Sequence, residues 1–153
     1  MIADKDDIVC SLKSSICELD ATICNAIKEH KDDSRVYMTL GTALFWIGAC
    51  LDRLCANGET ENEYERAFRG AYNIQKHSIQ LCKFQRYDCG GVSFPITFPL
   101  AIAAPDYCFA KMEHAVIENE RYVKAYNKTL SGKPIMPEIK KIQQVILCKL
   151  DRH

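Results

Sequence analysis

The chain has 153 residues, a length typical of one domain that can bury a core without disulfides or metal ions. Apolar residues make up 48% and charged residues 26%, as in ordinary globular proteins. Lys plus Arg and Asp plus Glu each number 20, so the formal net charge is zero. This balance argues against non-specific binding of duplex nucleic acid through excess positive charge, although a local basic stripe is compatible with it.

The sequence shows no pattern typical of export or membrane insertion. It contains no run of 18 or more apolar residues, and its acidic start, MIADKDDIVC, lacks the basic and apolar regions of a signal peptide. We therefore expect a cytoplasmic protein that does not contact a membrane.

Two long amphipathic helices are predicted first. The first helix runs from Asp6 to about His30, with apolar residues at steps of three and four: Ile8, Leu12, Ile16, Leu19, Ile23 and Ile27. The second helix runs from about Arg35 to Ala56, and its apolar stripe has six members: Val36, Leu40, Leu44, Ile47, Leu51 and Leu54. Asn57-Gly58 is a strong signal for its end.

The third helix is predicted from the capping-box spacing of Thr60 and Glu63. We expect it to continue to about Phe84, with a weaker apolar face: Tyr64, Phe68, Ala71, Ile74, Ser78 and Leu81. After Gly90-Gly91 comes the apolar run VSFPITFPLAIAAP, in which recurring prolines exclude a continuous helix and a central strand. We predict an extended segment, from about 90 to 105, packed across the bundle.

Two more helices complete the predicted fold. The fourth runs from about Asp106 to Leu130, with these residues facing inward: Phe109, Met112, Val116, Val123 and Tyr126. The fifth has Pro137 in its first turn and these residues facing inward: Ile139, Ile142, Ile146 and Leu150. The sequence therefore predicts an all-α, five-helix bundle in a single domain, residues 1–153.

Nine cysteines are many for a protein in the cytoplasm, which is the location that we expect. No C-x-x-C pair occurs, and the spacings from Cys50 to Cys55 and from Cys82 to Cys89 fit zinc poorly. We interpret the cysteines as small buried apolar side chains, and we predict no metal site and no cofactor. Three of them repeat every seven residues along the first helix: Cys10, Cys17 and Cys24. We expect their stripe to lie in the core or at a helix–helix contact.

The third helix carries a polar stripe that contains the candidate site. Because each helical residue advances by about 100°, Arg66, Asn73 and His77 fall within about 40° of one another, and Arg69 lies about 60° to one side. An arginine can bind a phosphate, a histidine can exchange a proton near neutral pH, and an amide can orient either group. These four residues are our candidate binding residues. The stripe can equally be an ordinary solvated face.

The helix order and the segment Tyr72-Asn73-Ile74-Gln75-Lys76-His77 resemble the HEPN family (higher eukaryotes and prokaryotes nucleotide-binding), over about residues 35–130. The resemblance implies a four- to five-helix bundle that forms a homodimer, and many members are RNases of toxin, CRISPR or anti-phage systems. Their motif is an arginine, often followed by Asn, with a histidine four to six residues further on. Here Tyr72 stands where the motif has arginine, and Arg69 leaves seven residues before His77. Members with an incomplete motif bind partners or nucleotides without cleavage.

Three functions follow as hypotheses. The first, which we adopt, is a non-catalytic HEPN-like module that dimerises and recognises RNA, a nucleotide or a protein partner, in bacterial or phage defence. The second is a metal-independent endoribonuclease in which His77 acts as acid or base, Arg69 or Arg66 stabilises the phosphate and Asn73 orients. The third is an accessory protein that sequesters a small nucleotide. The sequence leaves open whether the protein is an enzyme.

Overall fold

The computed structural model describes residues 4–29, 33–77, 81–86, 105–112 and 120–153. Within these ranges the chain forms five helices and two strands. In chain order they are α1 (Lys5–Glu29), α2 (Asp33–Ala56), α3 (Glu63–Lys76), β1 (Cys82–Arg86), β2 (Pro105–Phe109), α4 (Glu120–Thr129) and α5 (Ile135–Leu150). The predicted all-α class is confirmed, with one small antiparallel sheet of β1 and β2 added to the helices.

The first, second and fifth helices lie close to where their apolar periodicity predicts them. All six predicted members of the α2 stripe are buried, and so are five of the six in α1 and all four in α5. Gly58 adopts a φ of 91°, the left-handed conformation that ends a helix and that glycine adopts without strain. Pro137 lies in the first turn of α5, where its missing N–H removes no helical hydrogen bond.

One hydrophobic core takes in side chains from all five helices and both strands of the described chain. α1 packs along α2, α3 packs between α2 and α4, and α5 contacts both α1 and α2. Strand β2 enters the core through Phe109, whose ring meets Phe68 of α3 and Tyr126 of α4 edge to face, at 6.4 and 6.0 Å between centroids. Helices α3 and α4 are thereby held against the same aromatic cluster.

The predicted bounds of the third and fourth helices are wrong. α3 is capped by Asn62 rather than Thr60, because the Asn62 side chain accepts a hydrogen bond from the Glu65 N–H at 2.8 Å. It ends at Lys76, and residues 82–86 pair with residues 105–109 as strands, although helix was predicted for 82–84 and for 106–109. Ser78 and Val116 lie outside the described residues, as does the extended segment from 90 to 104, while Pro105 begins β2.

The prediction that the cysteines are buried holds for only part of the set. Cys50, Cys82 and Cys108 are buried, but five others are exposed: Cys10, Cys17, Cys24, Cys55 and Cys148. The heptad spacing does place the three α1 cysteines on one stripe. That stripe lies nearly opposite to the one formed by the buried isoleucines and leucines of α1, because two residues along a helix mean a rotation of about 200°.

By length and composition alone, α2 is apolar enough to cross a membrane, and 44% of the relevant window is buried inside the fold. A central core helix satisfies the same criterion, and α2 packs against α1, α3 and α5.

Candidate functional site

Helix α3 turns its polar stripe away from the core because its apolar residues pack inward. Ala67, Phe68, Ala71 and Ile74 are buried, whereas the four predicted site residues are half-buried or exposed. The helix alone therefore orients these side chains outward. Residues from α2, α4 and the loop before α3 decide which of them share a cavity.

Arg69 is held by two carboxylates from different parts of the chain. Its Nη1 lies 2.7 Å from Oδ1 of Asp52 on α2, and its Nε donates to Oε1 of Glu61 in the loop before α3. Burial alone would lower the pKa of Arg69, but the hydrogen bonds and charges of Glu61 and Asp52 raise that pKa above its ordinary value. The guanidinium is therefore fixed in place, and its positive charge is more than compensated.

A cavity of about 320 Å³ lies beside this ion pair, between α2, α3 and the start of α4. We call it the aromatic pocket, and its lining residues are Phe45, Gly48, Ala49, Asp52, Arg69, Tyr72, Asn73 and Tyr122. The rings of Phe45 and Tyr72 lie 6.3 Å apart at 61°. The pocket combines three aromatic side chains with a carboxylate, a guanidinium and an amide.

A second, more open cavity of about 560 Å³ runs between α3 and α4. We call it the basic groove, and its lining residues are Glu63, Arg66, Glu120, Arg121, Lys124, Ala125 and Lys128. Four cations face two carboxylates there, a surplus of two positive charges in a chain whose net charge is zero. The groove is therefore a local basic surface.

The ion pairs within the basic groove are exposed. Lys128 Nζ lies 3.0 Å from Glu63 Oε1, and Lys124 Nζ lies 3.7 Å from Glu120 Oε2, with both lysine side chains at least 70% exposed. Pairs of this kind contribute about 0–1 kcal/mol. Arg66 donates from Nη1 to the Glu61 carbonyl at 2.9 Å. A polyanion can therefore compete for these cations at small cost.

The aromatic pocket and the basic groove are neighbours. On α4, the consecutive residues Arg121 and Tyr122 line the groove and the pocket respectively. On α3, Arg66 lines the groove and Arg69 lines the pocket, three residues or about 4.5 Å along the helix axis apart. Gly70 permits this arrangement, since a Cβ there would lie only 2.3 Å from the Tyr122 carbonyl oxygen. The close approach of α3 and α4 brings an aromatic site and a cationic site side by side.

The structure divides the four predicted site residues. Arg69 and Asn73 share the aromatic pocket, and Arg66 lines the basic groove. His77 caps the C-terminal end of α3, where its N–H bonds to the carbonyls of Asn73 and Ile74 and its side chain is exposed. It lines neither cavity, and it is about 12 Å along the helix from Arg69.

Sequence reasoning missed Asp52, Tyr122 and the cations of α4. Arg121, Lys124 and Lys128 follow helical spacing and form a visible basic stripe, so this part of the site could have been found from the sequence. Asp52 gave no such signal, because its role depends on contact with α3. Among the residues that the structure describes, no cluster of three or more His, Cys, Asp or Glu side chains is placed to hold a metal ion.

No protein-family model, curated protein or solved structure matches this chain. The roles of these residues therefore rest on their contacts and chemistry.

Proposed function

We propose that the protein is a non-catalytic, HEPN-like binding module for a nucleotide, taken either free or as a unit of single-stranded RNA. The base occupies the aromatic pocket, and the phosphate lies in the basic groove. The observation that carries the proposal is the adjacency of these two cavities across α3 and α4. The family resemblance, the homodimer, the cytoplasmic location and a role in bacterial or phage defence belong to the proposal and rest on the sequence.

The aromatic pocket has the composition of a base-binding site. Bases stack on aromatic side chains, which contributes about 1–3 kcal/mol per base in single-strand binding. Phe45, Tyr72 and Tyr122 supply such rings, and Asn73 supplies both a donor and an acceptor for a base edge. The volume of about 320 Å³ lies at the small end of ligand cavities and suits a single base or nucleoside.

The basic groove has the composition of a phosphate-binding site. Arg66 and Arg121 can each offer a fork of N–H donors to phosphate oxygens, and Lys124 and Lys128 add mobile positive charge. The aromatic pocket has no such surplus, because its carboxylate, Asp52, balances its guanidinium, Arg69. A nucleotide is therefore oriented with its phosphate in the groove and its base in the pocket.

The same geometry favours binding over cleavage. Cleavage of RNA without metal needs a cation free to stabilise the phosphate and a proton-transfer group close to it. The groove cations can meet the first need, but His77 lies outside both cavities, and Arg69, the arginine nearest to it on α3, already engages two carboxylates. Tyr72 occupies the position at which the HEPN motif has arginine. We therefore expect the wild-type protein and His77→Ala to leave RNA intact in EDTA.

The test is fluorescence anisotropy with a labelled single-stranded RNA of about 12 nucleotides, a length within the usual range of single-strand sites. Wild type is compared with Tyr72→Ala in the pocket and with Arg121→Gln/Lys124→Gln in the groove. Tyr72→Ala should weaken binding about 10-fold, as expected when one stacking platform is lost. The groove variant should weaken binding most at low salt.

The matched control is Lys140→Gln on α5, which removes an exposed lysine paired with Asp20 rather than one in the groove. It should bind like wild type, and circular dichroism should show all variants folded. Equal affinity of the groove variant and the control would exclude the groove as the phosphate site. Absence of RNA and mononucleotide binding by folded wild type would contradict the proposal, and cleavage abolished by His77→Ala would favour the ribonuclease hypothesis.

A further inference from the structure

Asp52 is the polar residue of the aromatic pocket that the proposed function leaves without a role. Its side chain is 72% exposed and its Oδ1 lies 2.7 Å from Arg69, so the carboxylate is accessible at the pocket wall and is tethered there by one ion pair. Glu61 accepts a hydrogen bond from Nε of the same guanidinium. The carboxylate is thus positioned before any ligand arrives.

From this geometry we infer that the aromatic pocket selects guanine among the four bases, with Asp52 reading its Watson–Crick edge. The inference rests on the proposed function, because it assigns the base that the nucleotide carries. An ionised carboxylate only accepts hydrogen bonds, and it can accept two in parallel. The best match is the base edge that presents two adjacent donors.

Guanine presents that edge. Its N1–H and N2–H point the same way and can both donate to Asp52, and its O6 can accept from the Asn73 amide in the same pocket. Adenine and cytosine present a single amino group beside a ring acceptor, and uracil presents a single N–H between two carbonyls. Each of these three bases would place an acceptor lone pair against an oxygen of the carboxylate. Two acceptors repel each other and leave a hydrogen bond unmade, so binding through this edge is weaker.

The ion pairs of Arg69 support the assignment of Asp52 as the residue that reads the base. Arg69 could read guanine through N7 and O6 with a free pair of N–H groups, but its Nε and Nη1 already engage carboxylates. Recognition of the base therefore depends on the carboxylate of Asp52, which lines the cavity.

Trp46 can report binding through its fluorescence, because it is the only tryptophan of the chain. Its ring lies 5.1 Å from the ring of Phe45, which lines the pocket.

The experiment measures the affinities of guanosine, inosine, adenosine, cytidine and uridine 5′-monophosphates by calorimetry and by Trp46 fluorescence. The guanine nucleotide should bind about 10- to 100-fold more tightly than the adenine, cytosine and uracil nucleotides, the discrimination typical of one bidentate pair. The inosine nucleotide, which keeps N1–H and lacks the N2 amino group, should fall between them.

Asp52→Asn is the decisive variant, because its amide keeps an acceptor for Arg69 but turns an N–H toward the donors of guanine. It should still bind nucleotides and lose the preference for guanine. The control is Asp20→Asn, which changes an exposed carboxylate paired with Lys140 and should keep the preference.

Two failures are distinguishable. Wild-type affinities that are equal for the four bases, or a guanine preference that survives in Asp52→Asn, would overturn the inference and leave the nucleotide module standing. Failure of folded wild type to bind any mononucleotide or single-stranded RNA would overturn both.

Discussion

At the scale of single residues, the ion pairs of Arg69 decide what its charge can do. The helical positions of Arg66, Arg69, Asn73 and His77 could be predicted from the sequence, because side-chain direction on a helix follows from residue number. The partners of Arg69 could not, because Asp52 approaches from another helix and Glu61 from the preceding loop. A sequence pattern therefore predicts which face of a helix a residue lies on. Its electrostatic environment depends on contacts with residues distant in sequence.

A second ion pair, between Glu65 and Lys149, should contribute strongly to stability. The Glu65 side chain is 2% exposed, and Lys149 Nζ donates to it from α5 with its own side chain 15% exposed. Lys149→Met should lower the free energy of unfolding by about 3–5 kcal/mol, because it leaves a buried carboxylate without a partner. Urea denaturation measures the change.

The control for Lys149→Met lies on the same helix. Lys140 pairs with Asp20 at 3.2 Å, but both side chains are at least 40% exposed. Lys140→Met should therefore change the free energy of unfolding by less than about 1 kcal/mol. Similar effects of the two substitutions would show that the Glu65 pair is no more protected from water than the surface pair.

The buried thiols of Cys50 and Cys82 should make the fold sensitive to alkali. Burial raises the pKa of Cys50 and of Cys82 from 9.0 to about 11. The folded state therefore keeps protons that the unfolded state loses above pH 9, and stability falls as pH rises through this window. Each thiol should cost about 2 kcal/mol between pH 7.5 and pH 10.5.

Urea denaturation at these two pH values measures the effect of the thiols. Cys50→Ala removes one titrating group, so its loss of stability between the two pH values should be smaller by about 2 kcal/mol. A loss equal to that of wild type would mean that the Cys50 thiol ionises equally in both states.

At the scale of the elements, the close contact of α3 with α4 depends on Gly70. A Cβ there would lie 2.3 Å from the Tyr122 carbonyl oxygen and 2.9 Å from its carbon, and these backbone atoms cannot move without shifting α4. Gly70→Ala should lower the free energy of unfolding by about 1–3 kcal/mol, the usual cost of overpacking. It should also weaken nucleotide binding, because the pocket and the groove both include α4.

Gly48 provides the matched substitution on α2. A Cβ at Gly48 would meet nothing within 4 Å, so Gly48→Ala should raise the free energy of unfolding by up to about 1 kcal/mol through helix propensity. Thermal or urea denaturation compares the two variants. Equal changes in the free energy of unfolding for Gly70→Ala and Gly48→Ala would contradict the tighter packing at Gly70.

Apolar periodicity predicts some of the helices and none of the sheet. α1, α2 and α5 could be predicted because their apolar residues recur at steps of three and four over many turns. The end of α3 and the β1–β2 sheet could not, because the apolar spacing at Ile74 and Leu81 also suits a helix, and because strands are fixed by partners distant in sequence. The pocket and the groove were missed as units for the same reason, since each needs α4 placed beside α3.

At the scale of the whole molecule, the homodimer stays a prediction from the sequence. Among the described residues, Met38 and Phe45 are the large apolar side chains with high exposure, at 67% and 48%. Both lie on α2, and Met38 is the one outside the aromatic pocket. If a second copy covers this face, Met38→Asp should give a monomer in light scattering at concentrations where wild type is a dimer.

Met38→Leu, which keeps an apolar side chain at the same position, should remain dimeric with wild type. A monomeric wild type at all concentrations, or a dimer unaffected by Met38→Asp, would exclude this face of α2 as the dimer contact.

We expect binding to depend on the charge of the basic groove, although the net charge of the chain is zero. The most direct measurement is therefore the salt dependence of single-stranded RNA affinity for wild type and for Arg121→Gln/Lys124→Gln. Contact with two phosphates predicts a slope of about −1.4 for log K against log salt concentration, and the variant should be flatter by about 0.7 or more. Affinity that does not change with salt, or equal slopes for the two proteins, would contradict a nucleotide site that spans the aromatic pocket and the basic groove.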